Sequence, residues 1–89
     1  MKFIIPRRHR KAFDNYSEKK LDQNFTKEDA RNLLDNIIEA YNKSPESYGT
    51  NTGKKEASLE LSMIVANQIS TEYKDIEVEL ERGIPKLRT

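Results

Sequence analysis

The residues best suited to contact or chemistry form one run near the start of the chain, Arg7-Arg8-His9-Arg10-Lys11. Four cations within five positions match what phosphate contact requires. Each neutralised phosphate releases counterions, and such binding weakens steeply with salt. A second acid–base pattern offers an internal answer. In Asp75-Ile76-Glu77-Val78-Glu79-Leu80-Glu81, acidic and apolar residues alternate. If that segment pairs with the N-terminal one, its glutamates lie beside the arginines. Opposite charges across strands contribute from a few tenths to about 1 kcal/mol each. Internal pairing is the leading reading, and nucleic-acid contact through Arg7, Arg8, Arg10 and Lys11 is the alternative. His9 has no second His and no Cys nearby with which to hold a metal. It reads as a solvated or hydrogen-bonded histidine.

Other chemistry finds little material. Gly49-Thr50-Asn51-Thr52-Gly53-Lys54-Lys55 superficially resembles a phosphate-binding loop. It has one residue too few between its glycines and no hydroxyl residue after the lysine pair's first member, and a helical pattern precedes it. Cysteine is absent, which removes disulfides, thiolate ligands and thiol nucleophiles. The carboxylates fall on polar faces, where nothing tunes them for acid–base work. No catalytic residue, cofactor or metal is therefore expected, and the chain reads as a non-enzyme.

Composition narrows the class. The chain has 89 residues, 35% hydrophobic and 35% charged, with a formal charge of +1. The charge is uneven. Residues 1–25 hold seven basic and three acidic side chains, 26–53 hold three and five, and 54–89 hold six and seven. A basic head thus precedes a mildly acidic body. No apolar run is long enough for a membrane span, and the opening Met-Lys-Phe-Ile-Ile-Pro is too short for a secretory leader. These features predict a small soluble domain over 1–89, located in the cytoplasm and without a membrane partner.

The positioning elements follow from periodicity. Thr26 is a good N-cap with Asp29 at the capping-box position. Ala30, Leu33, Leu34, Ile37, Ile38, Ala40 and Tyr41 then share one helical face, until Ser44-Pro45 stops the helix. A flexible polar loop is expected over 44–53. A second helix is expected over 54–71, with one apolar stripe of Ala57, Leu61, Ile64, Val65 and Ile69 and another of Leu59, Met63 and Ala66. A weaker helix spans 10–22. Period two over 75–81 predicts a strand, turned by Gly83 and ended by Pro85. Lys2-Phe3-Ile4-Ile5 predicts a second strand. The fold class is thus α+β, with two or three helices packed on a minimal sheet formed by the N- and C-terminal strands.

Two stretches resemble known families. Lys2–Ile5, Arg10–Asp22 and Thr26–Tyr41, a strand and two helices, are similar to the ribbon-helix-helix DNA-binding fold. That resemblance implies a dimer whose paired strands enter the major groove. Beyond Lys2, however, the strand supplies no base-reading group. Leu33-Leu34-Asp35-Asn36-Ile37-Ile38-Glu39-Ala40-Tyr41 is similar to part of the small helical-bundle bacteriocin-immunity proteins, over about a tenth of the chain.

The expected function is a protein-binding module of the inhibitor, immunity or adaptor kind. The second stripe of the 54–71 helix, with Leu59 and Met63, is a candidate partner surface or homodimer contact. Tyr48, in the polar loop without apolar neighbours in sequence, is a candidate contact residue.

Overall fold

The structure is a computed structural model that describes residues 1–43 and 50–88. An extended N-terminal segment leads into a 3-10 turn, Arg7–His9, and helix α1, Arg10–Tyr16. Helices α2, Lys27–Lys43, and α3, Thr50–Glu72, follow. Strands β1, Glu77–Glu81, and β2, Ile84–Arg88, close the chain as an antiparallel hairpin. Three helices on a two-stranded sheet make an α+β fold, as the periodicity predicts.

The start of α2 is built as its sequence implies. The Asp29 N–H donates to Thr26 Oγ1 at 3.1 Å, and the Thr26 N–H donates to Asp29 Oδ2 at 2.9 Å. The two residues satisfy donors that the helix itself leaves orphaned. Lys19 adds an ion pair to the same carboxylate. α2 then buries Ala30, Leu33, Leu34 and Ile37 against Leu61, Val65, Ala66 and Ile69 of α3.

α1 is shorter than the 10–22 helix expected. It ends at Tyr16 because Ser17 turns extended, with φ −96° and ψ 136°. Ser17 Oγ then accepts the Lys19 N–H and donates to the Lys19 carbonyl. This local side-chain bonding competes with helix continuation. α3 in turn starts earlier than expected, at Thr50, so 50–53 are helical rather than part of a loop. The remaining loop positions, 44–49, lie outside the described residues.

The sheet corrects one expectation. Lys2–Ile5 is not a strand, and the partner of β1 is β2. Arg82 and Gly83 have φ of 55° and 80°, the paired positive values of the two-residue turn that suits a twisted hairpin. Closing that turn costs far less chain entropy than joining ends some seventy residues apart. Pro85 does not end the pairing, since it sits opposite Leu80 within it. The two-residue turn makes Glu81 and Ile84 a hydrogen-bonded pair, so the next position lacks a ladder donor in any case. Pro85 therefore removes an N–H that would face away from β1.

The N-terminal segment meets its backbone requirement differently. The Ile4 N–H donates to Gln68 Oε1 at 2.7 Å, and Gln68 Nε2 donates to the Ile4 carbonyl at 2.6 Å. One amide side chain on α3 thus supplies both bonds a neighbouring strand would supply. The Phe25 N–H donates to the Met1 carbonyl at 2.7 Å. These ties seat Phe3 and Ile5 in the core. Phe3, Phe13 and Phe25 meet there with ring centroids 5.1–5.9 Å apart in tilted or edge-on contacts.

Two measurements test this core. Phe13 is fully buried, so Phe13→Ala is expected to cost about 3–5 kcal/mol in urea unfolding, a large share of a small domain's stability. The Asp29 carboxyl is lowered to about 2, first by its bond from Lys19 and then by those from Thr26. Its contribution is complete above the ordinary carboxylate range and disappears as pH falls through about 2. Asp29→Asn should flatten the stability profile over that acid interval, read by urea midpoints at successive pH values.

Candidate functional site

The basic run is divided by the fold. Arg7 and Arg8 lie on the 3-10 turn, and Arg10 and Lys11 lie on the first turn of α1, all exposed. Arg8 forms an ion pair with Glu60 of α3. Arg10 Nε donates to the Ile5 carbonyl at 3.2 Å. Arg7 and Lys11 make no ion pair among the described residues. The leading expectation, that Glu77, Glu79 and Glu81 answer these arginines, is overturned. Glu79 pairs with Arg88, and Glu81 lies 3.7 Å from Lys86, both across the hairpin.

His9 is also placed differently from the solvated reading. It is 4% exposed, at the junction of the 3-10 turn and α1. Its Nε2 is 3.2 Å from Glu60 Oε1, but without the alignment of a hydrogen bond. Glu60 thus faces both the Arg8 guanidinium and the His9 imidazole. The Arg8 guanidinium, and His9 after it, hold its carboxyl below the usual carboxylate range.

Nor does the ribbon-helix-helix resemblance survive. That architecture needs the first segment free to pair with its twin. Here the backbone of Ile4 is engaged by Gln68, and Phe3 and Ile5 are buried within the same chain. The depression beside this segment carries Lys2, Arg10, Lys19 and Lys20 but also Asp14, Glu18 and Asp22. Such mixed charge suits a polyanion poorly.

Of the candidate partner contacts, Tyr48 lies outside the described residues. Leu59 and Met63 stand one turn apart on α3, both half-buried, and belong to neither the buried core nor the apolar residues packed on it. Ala66, assigned to the same stripe, is fully buried. The second stripe is therefore split between core and surface.

Sequence reasoning missed the groove between α2 and the hairpin, a cavity of about 470 Å³. Leu34 and Ile38 of α2 and Ile84, Pro85 and Leu87 at β2 give it apolar walls. Arg31, Asp35, Asn42, Glu81, Arg82 and Lys86 carry its polar groups. Ile38, Ile84 and Leu87 are each half-buried. The groove exists because the hairpin docks chiefly on α3, leaving α2 and β2 apart. The one sequence signal was Ile84-Pro85-Lys86-Leu87, an apolar-containing tail beyond the turn.

The shared role of Glu60 is open to direct test. By NMR its carboxyl should titrate below the ordinary value of about 4.3. Arg8→Ala should raise that midpoint, while an unchanged midpoint would remove Arg8 as the principal cause. Because the shift is downward, the associated stability holds above the usual carboxylate range and is lost as pH falls through the lowered value. With this geometry established, comparison with known proteins finds no family model, no curated protein and no solved structure that matches the chain.

Proposed function

We propose that the chain is a non-enzymatic protein-binding module, of the inhibitor, immunity or adaptor kind, and that the α2–hairpin groove is its principal contact. The observation that carries this reading is the groove's composition. Half-buried Ile38, Ile84 and Leu87 beside charged Arg31, Asp35 and Arg82 reproduce on a small scale an apolar contact centre with a polar rim. A cleft of about 470 Å³ admits one or two apolar anchor side chains from a partner segment. Leu59 and Met63 form a separate, smaller contact strip that would serve the same partner or a second subunit.

Nucleic-acid binding through the basic run ranks second. Arg7 and Lys11 favour it, being exposed and outside any ion pair among the described residues. The engagement of Arg8 by Glu60 and of Arg10 by the Ile5 carbonyl counts against it.

Selection from a displayed peptide library provides the test. Peptides enriched on the wild-type protein are expected to share apolar anchors and to lose at least about tenfold in affinity to Ile38→Lys or Ile84→Lys. Circular dichroism of each variant separates lost contact from lost fold. Enriched peptides indifferent to both folded variants would overturn the groove assignment. Tight, salt-sensitive binding of an oligonucleotide, abolished by Arg7→Ala and Lys11→Ala together, would favour the second reading.

A further inference from the structure

Both edges of the hairpin are open among the described residues, but they are not equivalent. Alternation from the Glu81–Ile84 pair makes Glu79–Lys86 and Glu77–Arg88 hydrogen-bonded pairs as well. Val78 and Leu80 fall between them, so their N–H and C=O groups point away from β2. No backbone hydrogen bond engages these groups among the described residues. On β2 the corresponding outward positions are Pro85 and Leu87. Pro85 has no N–H to offer, and this edge faces the groove described above. β1 therefore presents the only uninterrupted donor–acceptor edge of the hairpin.

Side chains give that edge a chemical preference. Glu77, Glu79 and Glu81 are exposed on one face, about 6.8 Å apart along the strand. Arg88 and Lys86 reach diagonally to Glu79 and Glu81, and Glu77 has no ion pair among the described residues. On the opposite face Leu80 is 59% exposed, one of two large apolar side chains so open to solvent among the described residues. A strand laid against β1 would cover Leu80 with its own apolar residues and bring its other side chains beside the glutamates. A second copy of this chain is a poor occupant, because antiparallel β1–β1 pairing sets glutamate against glutamate.

We propose that the free edge of β1 receives an extended basic segment of a partner protein, with Lys or Arg alternating with apolar residues, by strand addition. Backbone bonds to Val78 and Leu80 supply affinity, and Glu77, Glu79 and Glu81 select the positive charge. This edge shares Glu81 with the rim of the α2–hairpin groove, but Val78 and Leu80 lie outside that groove, so a response at their amides distinguishes the two assignments.

The probe is a capped nine-residue peptide alternating Lys and Val, titrated by NMR into the isotope-labelled full chain. A peptide of the same composition in scrambled order and one with Glu replacing Lys are the controls. The expected result is chemical-shift change and slowed exchange at the amides of Val78 and Leu80 with the Lys–Val peptide alone. Affinity should fall several-fold between about 0.05 and about 0.5 M salt. It should fall about tenfold in the triple variant Glu77→Gln, Glu79→Gln, Glu81→Gln. Leu80→Pro should abolish binding by removing an outward donor while sparing the bonds to β2. A close contact between the α-protons of Val78 and Leu87 reports that the hairpin persists in either variant. Overturning results are no response at Val78 and Leu80, equal binding of a control peptide, binding unaltered in either folded variant, or self-association through this edge without peptide.

Discussion

Thirty-five per cent hydrophobic residues leave an 89-residue chain little apolar surface to bury, and its three phenylalanines must therefore be used together. They come from three separate segments: Phe3 from the extended start, Phe13 from α1, and Phe25 from the approach to α2. Each is at most 5% exposed. Bringing the first of them inside takes an otherwise unpaired backbone along with it. The Gln68 amide and the Met1–Phe25 bond meet that requirement. The position of α1, and with it the basic run, follows from this arrangement, because Arg7–Lys11 directly continue the segment that Gln68 anchors.

Charge is handled in separate pairs rather than in one network. Lys19 serves Asp29, Lys27 serves Asp75, Arg8 serves Glu60, and Glu79 and Glu81 of the hairpin are met by its own Arg88 and Lys86. Exposed pairs of this kind add little stability each. Their larger consequence is to reduce the positive field of the head. Arg7 and Lys11 of the basic run and Glu77 of the hairpin are in no ion pair among the described residues. The molecule thus has a weak basic corner and an acidic strand edge, rather than one dominant electrostatic face.

The surfaces left available are by-products of how the hairpin docks. Resting chiefly on α3, it leaves α2 apart from β2 and so opens the apolar-walled groove. The same placement leaves β1 as the outer strand with Leu80 uncovered. Pro85 contributes to both, since it is buried beside the groove and has no amide proton on the β2 edge. A protein-binding reading suits a small domain whose core is complete and whose apolar residues nonetheless recur at its margins, at Ile38, Leu59, Met63, Leu80 and Ile84.

The features that rest on neighbouring residues, chiefly the cap and buried face of α2 and the alternation of β1, were legible in the chain itself. Thr26 and Asp29 cap α2 within four positions, the 3.6-residue period marks Leu33, Leu34 and Ile37 as buried, and alternation marks β1. Those signals act between residues close in sequence, where no chain closure intervenes. Ser17 shortened α1 by a local bond as well, but its strength relative to helix propensity was not readable from residue type. Partnership over distance was decided only by the tertiary structure. Glu79 had two sets of cations available, at 7–11 and at 86–88, and the two-residue Arg82-Gly83 turn made the near set the cheaper choice in entropy. Gln68 holding Ile4, Glu60 holding Arg8, and the groove between α2 and β2 all join residues more than forty positions apart, where sequence pattern assigns a face but not the neighbour that covers it.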